Sequence, residues 1–179
     1  MNSLAFLVRL IDAANEKIGR AVAWLALAMV AVQFVVVVMR YVFGIGSIMM
    51  QESVIYMHAM LFMAGAGYTL LHGGHVRIDV FYAKASAKKK ALVDVAGVVL
   101  FLVPVCVLIW WYSWPYAANS WKVFEGSKET SGIQAVFLLK SVILLFAALM
   151  LAQGVSMAMR ALLVLGGADD KSASGKPGR

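Results

Sequence analysis

The sequence predicts an all-α fold, a bundle of four transmembrane helices with amphipathic surface segments at the N-terminus and between helices. Of the 179 residues, 63% are hydrophobic and only 14% are charged, whereas roughly a quarter of the residues in a soluble domain are charged. Four apolar stretches are each long enough to cross about 30 Å of hydrocarbon, which takes about 20 helical residues. The basic residues cluster in alternate connections. Together these observations predict a multi-pass membrane protein.

Four spans and a short tail divide the chain. The spans are predicted at residues 21–39, 53–71, 91–118 and 133–159, within one membrane domain of residues 1–165. The first span is a retained helix and not a cleaved signal peptide, because its apolar core is too long and no small-residue cleavage site follows it before Ser47. Residues 166–179 are rich in Gly, Ser, Asp and Lys, which predicts a disordered tail.

The lysine and arginine residues predict the orientation. Three regions hold twelve of the 16 basic residues: the segment before the first span, the connection between the second and third spans, and the region after the fourth. They are Arg9, Lys17, Arg20, Arg77, Lys84, Lys88, Lys89, Lys90, Arg160, Lys171, Lys176 and Arg179. Because basic residues are retained on the cytoplasmic side of a membrane, both termini are predicted to be cytoplasmic.

Aromatic residues mark the predicted membrane surfaces. From Lys90 to Trp110 is about 30 Å of helix at 1.5 Å per residue, which is one hydrocarbon thickness. Tryptophan is favoured at the interface because its ring is apolar and its N–H group is polar. The predicted membrane-interface anchors are Trp24, Trp110, Trp111 and Trp114.

Two segments are predicted to lie along the inner membrane surface, and one span is predicted to bend. In residues 4–18, apolar residues recur at helical spacing opposite charged ones. Residues 76–88 mix apolar and aromatic residues with basic ones. Pro104 in the third span removes a backbone hydrogen bond, which predicts a kink.

Polar residues at membrane depth are candidates for function, because lipid offers them no hydrogen bonds. They are Gln33, His58, Lys140, Gln153 and, near the inner boundary, Asp94. A haem held by two histidines needs them to face each other on different helices. The other histidines, His72 and His75, follow the helix that carries His58. A hydrogen bond inside the bundle is therefore the favoured role of His58.

The sequence disfavours a metal site and an enzyme active site. His72, His75 and Asp79 are spaced as H-x-x-H-x-x-x-D and could supply three zinc ligands, but Gly73 and Gly74 break the helix that would align the histidines. The lone Cys106 excludes an internal disulfide or a C-x-x-C pair. There are no paired carboxylates, Ser/His/Asp set or Gly-rich phosphate loop. The chain is therefore predicted to hold no cofactor or metal and to have no enzyme activity.

Four further residues are candidates for structural or partner contacts. Glu52 opens the second span, where an acid complements the positive helix N-terminus, and it could pair with Arg40. Lys140 could face substrate or a partner, or it could extend to the outer interface, which is favoured. Gly65 and Gly67 leave the helix backbone bare, which indicates a close helix neighbour, either internal or in a second protein.

The second span and its flanks resemble a known family. The motifs occur in the order Arg40-Tyr41-Val42-Phe43-Gly44, Gln51-Glu52, Met63-Ala64-Gly65-Ala66-Gly67 and Gly74-His75-Val76-Arg77-Ile78-Asp79. This pattern resembles the small membrane subunit of tripartite ATP-independent periplasmic (TRAP) transporters, the DctQ-like family, which shares the four-span layout. The sequence Met49-Met50-Gln51-Glu52 stands where the family usually has an aromatic residue and an acidic pair.

The resemblance implies a scaffold subunit in the bacterial inner membrane. Its expected partners are a large multi-span permease subunit, a periplasmic binding protein that delivers the solute, commonly an organic acid, and membrane lipid; no nucleic acid is expected. Sodium coupling is expected in the large subunit and not in this chain. The candidate partner-interface or structural residues are Arg40, Glu52, Gly65, Gly67, His75, Arg77, Asp79 and Lys140.

Two other functions remain as alternatives from the residues alone. A self-sufficient small transporter acting as a homodimer would need a membrane-buried acid, whereas Glu52 lies at a membrane boundary. A haem- or metal-binding redox subunit would need a complete ligand set.

Overall fold

Four long helices form the structure, a computed structural model that describes residues 2–75 and 85–166. They are α1 (Asn2–Val42), α2 (Ile48–Leu71), α3 (Ala87–Lys122) and α4 (Val136–Leu165). Each is long and apolar enough to cross a membrane. The predicted all-α fold with four transmembrane helices is confirmed. The predicted surface segment at residues 76–88 lies largely outside the described residues, and so does the predicted tail from residue 167.

Helix α1 is twice as long as a membrane span. Its 41 residues extend about 60 Å at 1.5 Å per residue. Residues 4–18, expected as a segment along the membrane surface, continue the span as the same helix. No proline or glycine pair interrupts it, and Val8 and Asn15 are buried, so contacts with other helices hold this part in line with the span.

Helix α4, the last in the sequence, is central in space. It contacts α1, α2 and α3, while α2 also packs along α1. Small residues allow the close approaches: a Cβ atom added to Gly154 of α4 would lie 2.6 Å from Leu102 Cδ2 of α3. The core between the helices is correspondingly rich in small side chains, as is common where membrane helices pack closely.

Helix α3 contains a π-helical turn where the sequence predicts a kink. Residues Val98–Leu102 are π-helical, and the α-helix resumes at Val103, just before Pro104. A proline ring collides with the carbonyl group four residues earlier, here Leu100, and offers it no N–H group. Widening the preceding turn relieves both problems while the helix continues.

The bundle has two ends, which we name by the segments found there. The terminal end holds residues 2–20, the end of α2 and the start of α3, and the last turns of α4. The loop end holds residues 43–47 and 123–135. At the loop end Ser47 caps α2, its Oγ accepting a hydrogen bond from Met50 N at 3.4 Å. Residues 123–135 begin with a tight turn in which Phe124 has a φ of +46°.

Candidate functional site

A polar cluster joins α1 to α4 at the terminal end. Asn15 Nδ2 donates a hydrogen bond to Gln153 Oε1 at 2.8 Å, and Gln153 Nε2 donates to Asp12 Oδ1 at 3.1 Å. The same Asp12 oxygen accepts hydrogen bonds from Ser156 Oγ at 2.7 Å and from Arg160 Nη2 at 2.9 Å. The cluster therefore combines hydrogen bonds with an ion pair between Asp12 and Arg160.

Burial makes this cluster structurally important. Asn15 is 2% exposed and Gln153 is 1% exposed, and a buried amide without a hydrogen bond destabilises the folded state. Asn15 Oδ1 has no donor among the described residues and lies directly over Gly67 of α2. The cluster therefore fixes the relative positions of α1, α2 and α4.

A second contact at the terminal end ties α2 to α1. His72, just after α2, donates a hydrogen bond from Nε2 to Glu16 Oε2 at 2.7 Å, and Glu16 Oε1 pairs with Arg20 at 2.6 Å. His75 is exposed, and Asp79 lies outside the described residues. Within residues 2–75 and 85–166, no three His, Cys, Asp or Glu side chains are grouped so that they could hold a metal ion.

An open groove of about 380 Å³ lies between α2, α3 and α4 at the terminal end. Its polar lining includes Lys90, Asp94, Gln153 and Arg160, and the rest is mainly aliphatic. Gln153 and Arg160 already bond Asp12. The groove thus presents charges of both signs and adjoins the polar cluster.

At the loop end, Glu52 holds the connection between α3 and α4 against the start of α2. Its Oε2 accepts a hydrogen bond from the backbone N–H of Ile133 at 2.6 Å, and its Oε1 accepts one from Ser127 Oγ. The hydroxyl of Tyr56, one turn along α2, donates to the Ile133 carbonyl at 3.5 Å. The alternative that Glu52 pairs with Arg40 is not realised, because both carboxylate oxygens bond the loop.

Lys140 also binds this loop, while its extension to the outer membrane interface stays a prediction. Its ammonium group pairs with the Glu125 carboxylate and lies 4.0 Å from the centroid of the Tyr116 ring. The hydrogen bond from the Lys140 ammonium group holds the pKa of the Glu125 carboxyl group below its ordinary value of 4.5. Lys140 therefore extends along α4 towards the loop end and makes its contacts within the chain.

The structure separates the remaining candidates into inward and outward residues. Gly67 faces Asn15, and a Cβ atom at Gly65 would meet one atom, Val22 Cγ2 of α1, at 3.8 Å. Arg40 is exposed at the end of α1 and makes no hydrogen bond or ion pair within the described part of the chain. Arg77 and Asp79 lie outside the described residues.

The structure places His58 differently from the sequence expectation. Its ring lies on the outer surface of the bundle beside Phe62 of the same helix, with ring centroids 4.7 Å apart, and makes no hydrogen bond within the described residues. The expected hydrogen bond inside the bundle is therefore wrong, because the inner faces of α2 are taken up by contacts with α1 and α4. Gln33, on α1, is the other exposed polar side chain named above.

Sequence reasoning missed most of the terminal cluster. Asp12 and Asn15 belong to residues 4–18, which the sequence predicts as a segment along the inner membrane surface. A usable signal exists: Gln153, Ser156 and Arg160 recur at intervals of three and four residues, which places polar groups on one face of an otherwise apolar helix. A polar stripe of this kind indicates a polar partner on a neighbouring helix.

The predicted interface tryptophans lie on the outside of the bundle. Trp24, Trp110, Trp111 and Trp114 are exposed, and the rings of Trp110 and Trp114 stack with centroids 6.0 Å apart. Their outward position leaves them available to a membrane interface. Their anchoring role stays a prediction.

One protein family matches the chain. The sequence model described as "Tripartite ATP-independent periplasmic transporters, DctQ component" matches residues 29–164. This match includes α2, α3 and nearly all of α4, together with the second part of α1. No curated protein and no solved structure matches the chain.

Proposed function

The chain belongs to the DctQ component family of tripartite ATP-independent periplasmic transporters, and from that premise we propose that it is a scaffold. In this proposal it binds a large permease subunit in the bacterial inner membrane and supports it during import of an organic acid or a similar solute. Sodium coupling resides in the large subunit, and a periplasmic binding protein delivers the solute.

The observation that best supports this proposal is that the polar groups between the helices bond one another. Asp12, Gln153 and Arg160 tie helices together at one end of the bundle, while Glu52 and Lys140 tie a loop to helices at the other. A transport site needs polar groups that can exchange water for solute. Groups committed to neighbouring helices favour a rigid brace instead.

The proposed orientation follows the basic residues. The terminal end includes the basic segments before α1 and at the start of α3, so the positive-inside rule favours cytoplasmic termini. Residues 123–135, held by Glu52 and Lys140, then face the periplasm. An ordered surface of this kind near the permease is suited to support docking of the binding protein.

An omission experiment in liposomes tests the function. The chain, the large permease subunit and the binding protein are purified, and the solute is first identified as the organic acid that raises the melting temperature of the binding protein. Uptake of the radiolabelled acid under an inward sodium gradient is expected only when all three proteins are present. A liposome with the chain and the binding protein alone is expected to give background uptake.

Two results would contradict the proposal. Sodium-driven uptake by this chain without the large subunit would make it the transporter. Full uptake by the large subunit and the binding protein without this chain would remove the scaffold role. An inward potassium gradient of the same size is the control for the driving ion.

A further inference from the structure

One face of α2 has the side-chain spacing of a helix–helix contact but is not covered by the chain. We call this row the α2 seam; its members are Ile48, Gln51, Ile55, His58 and Phe62, and all five are exposed. Their intervals of three and four residues are those of the a and d positions of a helix packed against another helix. The α1 and α4 helices pack on the other faces of α2.

Lipid alone is a poor occupant of this seam. His58 is ten residues into α2, which is about 15 Å along the helix axis and about half of a hydrocarbon layer. Ionisable groups at this depth face protein or water and have hydrogen-bond partners. Within the described residues the imidazole lies beside the Phe62 ring and makes no hydrogen bond, so the required hydrogen-bond partner must come from outside these residues.

The exposed face of α3 shows the contrast. Between Leu92 and Leu108 its exposed side chains are all apolar, for example Val99, Leu100 and Phe101. Hydrocarbon satisfies such a surface completely. At the same membrane depth, the outward face of α3 therefore needs no hydrogen-bond partner, whereas the outward face of α2 does.

We propose that the α2 seam docks against a transmembrane helix of the large permease subunit that offers a hydrogen-bonding side chain to His58. This inference rests on the proposed function, because it takes the large subunit as the partner. Gly65 follows Phe62 in the same register, and its missing side chain leaves room for close approach of that helix. Gln51 provides a second polar contact near the loop end.

Photo-crosslinking with a matched pair of phenylalanines tests the position of the partner. Benzoylphenylalanine is placed at Phe62, which is 68% exposed, or at Phe101 of α3, which is 71% exposed. Membranes that contain the assembled complex are then irradiated. The Phe62 probe is expected to give a product with the large subunit, in at least tenfold higher yield than the Phe101 probe.

Three crosslinking results overturn the proposal. They are a Phe62 product that is a dimer of this chain, no protein product at Phe62, and equal yields at the two positions. Co-purification of the large subunit on this chain is measured in the same membranes. If the large subunit is recovered but the Phe62 probe gives one of these three results, the scaffold function stands and only the proposed contact of the α2 seam is wrong. If the large subunit is not recovered, both the scaffold function and the proposed contact are wrong.

Substitution of His58 tests the hydrogen bond itself. His58→Leu is expected to lower co-purification of the large subunit about threefold, the usual size of one interhelical hydrogen bond in a membrane, whereas His58→Gln, which keeps hydrogen-bonding groups, is expected to retain most of it. The melting temperature of the isolated chain should stay unchanged in both variants, because His58 is exposed and its ring lies beside Phe62 of its own helix. Equal recovery of the large subunit with the unaltered chain and with both variants would show that His58 makes no hydrogen bond to it.

Discussion

Gly65 and Gly67 are two residues apart on α2, and an added side chain would meet different surroundings at each. A side chain at Gly67 would enter the space occupied by Asn15 Oδ1, and Leu149 Cβ lies 3.4 Å from the same position. Asn15 cannot move away without breaking its hydrogen bond to Gln153. At Gly65 the same added atom meets only Val22, at an ordinary contact distance.

Gly67→Ala is therefore expected to destabilise the isolated chain by about 1–3 kcal/mol, the usual penalty for an overpacked core. Gly65→Ala is the matched control, and it is expected to be neutral or to stabilise by up to about 1 kcal/mol, because alanine favours the helix. Thermal unfolding in detergent gives both values. Equal changes in the two variants would mean that Asn15 does not fill the space over Gly67.

Glu125 gives the loop end a defined response to acid. Its pKa is lowered by the hydrogen bond from the Lys140 ammonium group, so the folded state binds the Glu125 proton more weakly than the unfolded chain does. The resulting stabilisation is present above the unfolded value near 4.5 and is lost as the pH falls through the lowered folded value.

We expect Glu125→Gln to lower the melting temperature at pH 7 and to have no effect once the pH is below the folded pKa of Glu125. Melting temperatures of both proteins between pH 3 and pH 7 give the comparison. Because the carboxylate is exposed to solvent, its pairing is partly screened, so the difference at pH 7 is expected to be small. A difference that persists unchanged into acid would rule out the carboxylate as its source.

At the scale of elements, one carboxylate connects the start of α2 to the connection between α3 and α4. Glu52 bonds Ile133 N and Ser127 Oγ. The same site leaves no room for a side chain at Gly132, where a Cβ atom would collide with Ser127 and lie 2.7 Å from Glu52 Oε1. The loop is thereby fixed to a helix that precedes it by about 80 residues in the chain.

Glu52→Ala is expected to destabilise the chain by about 1–3 kcal/mol, because the Ile133 N–H loses its acceptor. It should also make residues 123–135 more sensitive to added protease, since the loop would open more often. Glu129→Ala is the control, because Glu129 is exposed in the same loop and only its backbone takes part in hydrogen bonds. A loop equally resistant in all three proteins would show that Glu52 does not hold it.

The elements themselves were predictable from the sequence, but their polar contacts were only partly so. Hydropathy locates the four spans because a membrane helix must be apolar over a fixed length, and Pro104 marks the altered turn in α3. Hydropathy does not say which helix a polar side chain meets. The sequence therefore predicts an interior position for His58, which is exposed, and gives no partner for Asp12, which receives three hydrogen bonds from α4.

Considered as a whole molecule, the bundle depends on its last helix. Because α4 contacts the other three helices, α3 cannot be packed in its final position before α4 is made. Polar contacts at both ends of the bundle also require α4. Gln153 and Arg160 bond α1 at one end, and Lys140 bonds the loop after α3 at the other. The sequence order of the helices gives no sign of this arrangement, because hydrophobic contacts between membrane helices are not specific.

The last prediction concerns the orientation of the whole molecule in the membrane. Reporter fusions after Lys90 and after Lys128 are expected to be on opposite sides of the membrane, with the first in the cytoplasm, since basic residues resist translocation. Green fluorescent protein should fluoresce only at the first position, and alkaline phosphatase should be active only at the second. Replacing Lys88, Lys89 and Lys90 together with glutamine is expected to mix the two orientations. The reverse reporter pattern in the unaltered chain would place Glu52 and its loop in the cytoplasm, where a periplasmic binding protein could not reach them.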